Sequence, residues 1–276
     1  MAEWKIRDRV LPLGRRSYVM GIVNVTPDSF SDGGRYLDSS AALAQAELLS
    51  AEGVDILDFG GQSTRPGHIE VPPEEEWARL RPVLEEICGK TALPVSVDTY
   101  FPFVAERALA LGVQIINDVS GVINPDMASL VRESGCGWVV MHAASLSPET
   151  DAVQAVDDWF AAAVREAEAL GVSAGQLCLD PGIGFGKDDR QNYALMRGTA
   201  RLKRPDYAYL LGASRKRCIG AATGAPAADR DFGSAAAHAV GVFCGADIIR
   251  AHCGAGSVQA TRVADALRYG TARGEE

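Results

Sequence analysis

Residues 114–142 read QIINDVSGVINPDMASLVRESGCGWVVMH, and this stretch decides the fold. A short apolar run from Gln114 to Asp118 stops at the polar pair Asn117 and Asp118, a turn follows, Met127 to Glu133 carries a helical pattern, and a second apolar run extends from Gly137 to His142. Short β-branched runs read as strands, and a segment of period near 3.6 between two of them reads as the crossover of a parallel pair.

The unit repeats outward in both directions. Strands are expected near Tyr18 to Val25, Asp55 to Phe59, Val95 to Asp98, Gln114 to Asp118, Gly137 to His142, Gln176 to Asp180, Tyr207 to Gly212 and Asp247 to Arg250. Helical patterns cover Ala41 to Glu52, Glu74 to Cys88, Phe103 to Leu111, Met127 to Glu133, Asp157 to Leu170, Arg230 to Cys244 and Ser257 to Arg268, with the faintest near Asn192 to Met196. Strand and helix alternate eight times without a linker or a shift in composition. That predicts one α/β domain over residues 1–276, a closed (β/α)8 TIM barrel rather than an open doubly wound sheet. Residues 1–16, with Lys5, Arg7, Arg9, Arg15 and Arg16 among apolar residues, read as an extension over the barrel bottom, and 270–276 as a frayed tail.

Composition narrows the function classes. Hydrophobic residues at 47% and charged residues at 23% of 276 describe an ordinary globular chain. No apolar stretch reaches the roughly 18 residues of a membrane helix, and the N-terminus lacks a signal-peptide pattern, so a cytoplasmic protein is expected. With 27 basic and 36 acidic residues the net charge is −9, which disfavours general attraction to nucleic acid or an anionic membrane. An anionic substrate must then meet a local cationic cluster. The six cysteines stand singly, without the paired spacing of a zinc site, and read as reduced thiols.

In a barrel of this kind the loops after the strands build the site, so a polar residue where an apolar run stops carries weight. The series is Asn24, Asp58, Asp98, Asn117 with Asp118, His142, Asp180, Ser214 to Lys216, and Arg250 with His252. Any one of them could be a strand cap. As a ring they suit a flat heterocycle: Asp98, Asn117 and Asp180 can meet amino and ring N–H groups, Lys216 can donate to a carbonyl or ring nitrogen, and Phe185 can wall the slot. Arg65, Arg250 and His252 lie on a cationic side near Asn24 that looks like a diphosphate site. Two connections, Thr26 to Leu37 and Gly60 to Pro72, exceed the roughly two to six residues usual after a barrel strand and are expected to be lids. The run GIGFGK is not a nucleotide loop, because Asp188 follows Lys187 where Ser or Thr is needed. His68 and His238 read as surface or packing residues, and His142 stays open between a structural and a site role.

The combination NVTPDSFSDGG, GGQSTRPG, SVDT, INDVSG, VVMH, LDPGIGFGK, GASRK and RAH, in that order from about Met20 to Arg268, resembles the dihydropteroate synthases of the pterin-binding barrel family. The resemblance implies joining 6-hydroxymethyl-7,8-dihydropterin diphosphate to 4-aminobenzoate, with release of pyrophosphate. It implies that Asp98, Asn117, Asp180 and Lys216 hold the pterin with Met141 and Phe185 packed nearby, and that Asn24 ligates Mg2+ together with diphosphate oxygens. By the same resemblance Arg65, Arg250 and His252 hold the diphosphate, Thr64, Pro66, Ser214 and Lys216 surround the aminobenzoate, Asp28, Phe30 and Ser31 ride on a lid, and the chain forms a homodimer.

The chain departs from the family pattern at Gln62 where Glu is common, at AASLSP after His142, at Arg217 and at Cys253. Two other readings use the same pterin pocket. A methyltransferase serving a corrinoid protein would need no diphosphate site, which Arg65, Arg250, His252 and the TPDSFSDGG loop argue against. A noncatalytic pterin-binding paralogue stays open on the departures.

Overall fold

The structure is a computed structural model that describes residues 2–25, 35–62 and 70–270, with backbone alone for 35–38. Eight parallel strands close into a barrel: β3 (Tyr18–Asn24), β4 (Ile56–Gly60), β5 (Val95–Asp98), β6 (Ile115–Asp118), β7 (Gly137–Met141), β8 (Leu177–Asp180), β9 (Ala208–Leu211) and β10 (Ile248–Ala251), with β10 paired back onto β3. The barrel expected from the alternation of strand and helix is the one observed.

Each strand alternates between the barrel interior and the helices outside, as a pleated backbone requires. Leu57, Val97, Ile116, Leu179 and Ile249 point outward into the large core shared with the helices. Ile56, Ile115, Val139, Cys178 and Ile248 point inward and form an apolar layer in the lower barrel. Two residues further along β4, β8 and β10 the inward positions become Asp58, Asp180 and Arg250. The interior therefore changes from apolar to charged within one pleat repeat, and the polar layer opens toward the carboxyl ends.

The helices are α1 (Arg35–Ala51), α2 (Pro73–Ile87), α3 (Pro102–Ala110), α4 (Pro125–Ser134), α5 (Ala152–Ala169), α6 (Asp189–Arg197), α7 (Thr199–Leu202), α8 (Arg217–Thr223), α9 (Asp231–Phe243) and α10 (Gly254–Tyr269). Proline at the first turn of α2, α3 and α4 suits a position whose backbone N–H has no helical partner. Asn124 caps α4 through bonds to the amides of Asp126 and Met127, and Gly135 ends it at φ 71°. The faint pattern near Asn192 is a helix from Asp189, started by a capping box between Asp188 and Gln191. Sequence periodicity gave no sign of α8, whose seven residues include Gly220.

The extension is a β-hairpin of β1 (Glu3–Ile6) and β2 (Arg9–Pro12). Trp4 and Ile6 are fully buried against the apolar layer of the barrel, and Trp4 Nε1 donates to Gln176 O at 3.0 Å. A Cβ on Gly137 would lie 2.7 Å from Ile6 Cγ2, so glycine at the start of β7 lets the hairpin seat. Arg7 and Arg9 from the basic group donate to the backbone carbonyls of Leu109, Val113 and Ala92.

Candidate active site

Strand register brings the ring residues abreast. Asp58 pairs with Ser96, Asp98 with Asn117, and Met141 with Asp180 across neighbouring strands. Asp58, with no exposed surface, is the hub. It accepts from Ser96 Oγ at 2.5 Å, from Asn117 Nδ2 at 3.2 Å and from Arg250 Nε at 2.7 Å. Arg250 also donates from Nη2 to Asp98 Oδ2 at 2.7 Å. Sequence reasoning named Asp58 as a strand end without giving it a role, and it passed over Ser96; the available signal was the inward phase of both positions in the strand alternation.

With those bonds made, Asp98 Oδ1 and Asn117 Oδ1 are buried and have no partner among the described residues. Two orphaned acceptors side by side call for a ligand that brings donors, because an unpaired buried acceptor costs about 1–3 kcal/mol. Across the mouth, Asp180 accepts Gly182 N at 2.7 Å through Oδ1. Burial raises the Asp180 pKa, and burial likewise pushes Asp98 up against the pull of Arg250.

Lys216 faces these carboxylates. Burial lowers its ammonium to about 8, the Arg250 charge acts in the same direction, and Asp180 and Asp98 oppose both. Its Nζ lies 4.3 Å from the Phe185 ring centroid. Gly184, at φ 83°, holds a left-handed backbone that favours glycine, and the stem of Lys216 passes over it, with a Cβ there falling 2.9 Å from Lys216 Cδ. The loop carrying Phe185 is fastened by Lys187, a residue dismissed in the sequence as part of a nucleotide-loop likeness. This buried ammonium donates to the carbonyls of His142, Gly182 and Phe185 at 3.0, 3.1 and 2.8 Å. The divergent segment after His142 joins the same loop, with Leu146 N donating to Gly186 O at 2.8 Å and Gln191 Nε2 to Ser147 O at 2.7 Å.

His252 and Ser214 bridge the ends of β10 and β9: Ser214 Oγ accepts from His252 N at 3.1 Å and lies 3.0 Å from His252 Nδ1. Asn24 is exposed at the end of β3, beside Gly60 in the register. Met141, 1% exposed, lies next to Asp180 in the same layer. Arg65, Thr64, Pro66, Asp28, Phe30 and Ser31, with most of both expected lids and His68, lie outside the described residues. Buried His142 keeps its imidazole neutral, with a pKa lowered to about 4 by burial and by the Lys187 charge, and packs edge-on against Trp159. His238 is a core residue paired with Ser257.

At the root of the second long connection, Gln62 Nε2 donates to Glu76 Oε2 at 2.5 Å, and burial pushes the Glu76 carboxyl up to about 7. The amide at position 62 thus meets a buried carboxyl without adding a second negative charge.

A closed eight-stranded barrel that gathers Asp58, Asp98 and Asp180 with Arg250 and Lys216 at the carboxyl ends of its strands has the arrangement of a barrel enzyme, whose site lies at that face. The family model described as "Pterin binding enzyme" matches residues 20–252. The dihydropteroate synthase of Neisseria meningitidis serogroup B is 45% identical over 93% of this chain and 92% of that protein. Among solved structures, Xanthomonas albilineans dihydropteroate synthase with 4-aminobenzoic acid superposes with a TM-score of 0.89 at 41% identity, covering 96% of this chain and 98% of that one. The Burkholderia cenocepacia enzyme complexed with 7,8-dihydropteroate gives 0.87 at 37% identity, covering 98% and 97%. The chain belongs to the pterin-binding enzyme family and, within it, to the dihydropteroate synthases.

Proposed function

We propose that the barrel mouth condenses 6-hydroxymethyl-7,8-dihydropterin diphosphate with 4-aminobenzoate to give 7,8-dihydropteroate and pyrophosphate, a transferase step of folate biosynthesis. The observation that carries this reading is the pair of orphaned acceptors, Asp98 Oδ1 and Asn117 Oδ1, facing a mouth that also holds Asp180 and the Lys216 ammonium. A pterin edge supplies N–H groups to the acceptors and a carbonyl and ring nitrogen to the ammonium, with Met141 and Phe185 as apolar walls.

The arylamine nitrogen is a weak nucleophile, so the bond from the pterin methylene carbon to the diphosphate oxygen breaks early, and the diphosphate leaves with the electron pair. The cation left on the methylene is delocalised into the ring, and the buried carboxylates Asp98 and Asp180 favour that charge. The amine lone pair then forms the new C–N bond, and the arylammonium proton passes to solvent. Arg250, His252 and Arg65 receive the departing diphosphate. By the family resemblance the aminobenzoate falls to Ser214 and Lys216 together with Thr64 and Pro66, and the lid role to Asp28, Phe30 and Ser31.

Among the described residues no group of three His, Cys, Asp or Glu side chains could hold a metal ion. The donor set at Asn24, one exposed amide oxygen, still fits Mg2+, which keeps several waters and binds through few protein oxygens plus substrate phosphates. Mg2+ held there with the diphosphate would neutralise charge on the leaving group.

A homodimer fits the surface of α9 and α10, where Phe232 is 92% and Leu267 71% exposed beside exposed Phe243 and Val263. The substrates are small phosphorylated and aromatic metabolites, and we place the enzyme in the cytoplasm. Incubation with both substrates and Mg2+ tests the reading: formation of dihydropteroate supports it, and pterin binding without product points to a noncatalytic paralogue.

A further inference from the structure

Among the described residues only two non-glycine residues, Arg7 and Arg215, adopt a positive φ, and Arg215, at 55°, stands between Ser214 and Lys216. A left-handed backbone at a residue with a Cβ is strained and persists only where the surroundings over-determine it. Here they do. The Arg215 guanidinium makes a two-pronged pair with Asp231 in the first turn of α9, Nε to Oδ1 at 2.7 Å and Nη2 to Oδ2 at 2.8 Å. Its backbone N–H donates to Ser234 Oγ at 2.9 Å. Arg230 closes the other side, donating from Nη1 to the carbonyls of Arg215 and Lys216 at 3.2 and 3.4 Å while lying against Gly220.

The turn has a direct consequence for the site. Residue 214 ends with its hydroxyl on His252, and residue 216 turns its ammonium to the Phe185 ring. An ordinary right-handed or extended backbone at position 215 would rotate one of these two side chains away from the mouth.

We propose that Arg215 is a positioning residue: its pair with Asp231 locks the left-handed turn that delivers Lys216 into the pterin pocket. The inference rests on the pterin site proposed above. A fork of two parallel bonds is needed because a single flexible contact does not fix the direction of the turn. The clamp explains why an Arg whose side chain points away from the mouth sits between two residues that serve it.

The test uses the full chain as wild type, Arg215→Met, Arg215→Gly, Arg215→Lys and Asp231→Asn, with three readouts taken well below each Tm. These are kcat/KM, calorimetric affinity for a dihydropterin lacking the diphosphate, and the titration of Lys216 followed by NMR of labelled lysine. Arg215→Met and Asp231→Asn are each expected to weaken pterin binding and lower kcat/KM about 10- to 100-fold, the scale of a displaced site group. Arg215→Met combined with Asp231→Asn should be no worse than either change alone, and Arg215→Lys should recover part of the loss. Lys216, held near pH 8 by burial and Arg250 against Asp180 and Asp98, should titrate higher once it leaves the pocket. Glycine adopts the turn without strain, so Arg215→Gly, which removes the guanidinium but tolerates the left-handed backbone, should keep more pterin affinity than Arg215→Met. Wild-type affinity and wild-type Lys216 titration in Arg215→Met or Asp231→Asn, whatever their Tm, would overturn the proposal. If the wild-type protein bound no pterin, the functional reading would fail while the Lys216 titration still decided the clamp.

Discussion

Arg250 and Asp58 stand 192 residues apart in the chain and 2.7 Å apart in the barrel mouth, Nε to Oδ2. Through its other prong Arg250 reaches Asp98, so the guanidinium assigned to the diphosphate is bonded to the wall of the pterin pocket. Asp58 in turn holds Asn117 by taking its amide N–H, and the Asn117 oxygen stays buried without a partner among the described residues. One buried carboxylate thereby sets the geometry of a cation and of a neighbouring amide.

Asp58→Asn is expected to lower kcat/KM roughly 100-fold, because the amide cannot accept from Ser96, Asn117 and Arg250 together and the Arg250 fork loses its direction. Asp58→Ala should in addition destabilise the fold by about 3–5 kcal/mol, since it leaves a largely buried guanidinium short of a partner. Steady-state kinetics and urea unfolding separate the two effects. Unchanged kinetics in Asp58→Asn would remove Asp58 from its proposed role.

Asp180→Asn retains an oxygen for Gly182 N but presents an NH2 group where the pterin also donates. A mismatch of this kind costs about 1–3 kcal/mol, and more where the bond is charge-assisted. Calorimetry with a pterin lacking the diphosphate should show a loss of at least about tenfold in affinity, a factor that corresponds to about 1.4 kcal/mol.

Stability should depend on pH through Glu76. Its folded pKa of about 7 lies above the ordinary 4.5, so the native state holds a proton that the unfolded chain has released across that interval. Stability from this group is therefore complete below about pH 4.5, declines as pH rises toward 7, and levels off above that. Glu76→Gln removes the decline. Relative to wild type it should gain roughly 1–3 kcal/mol between pH 4 and pH 8, measured by denaturant unfolding at each pH. A constant difference between the two proteins across that range would show that Glu76 is ionised at neutral pH.

Chelation of Mg2+, or Asn24→Ala, should depress turnover by about 2–4 kcal/mol in transition-state terms while leaving affinity for a pterin without the diphosphate nearly unchanged. Aminobenzoate alone should bind poorly and should bind better when a pterin, pyrophosphate and Mg2+ are all present. Comparable loss of affinity for the bare pterin in Asn24→Ala would place Asn24 in the ring pocket instead.

Much of the architecture was legible locally. The run from Ile115 to Asp118 shows its strand and its polar ending within four residues, while the helical pattern from Met127 locates α4 but misses its first turn, which Asn124 and Pro125 begin. The same logic places Asp98, Asn117, Asp180 and Arg250 at strand ends. It falters where charged residues break up the apolar run, as in the strands Glu3–Ile6 and Arg9–Pro12, or where glycine interrupts the pattern, as in α8. The left-handed turn at Arg215 was hidden for a different reason: nothing in an Arg residue announces a positive φ, and its cause, Asp231, is 16 residues away.

By itself the sequence determined the alternation of strand and helix that builds the barrel and the polar ring where the apolar runs stop, because period and termination are properties of contiguous residues. Tertiary structure alone decided which members of that ring bond to one another. Asp58 meets Arg250 only after β10 has closed onto β3, and Lys187 finds the His142 carbonyl only when the loop after β8 folds back over the end of β7. Those partners are fixed by the closure and register of the whole sheet, which a local pattern does not encode.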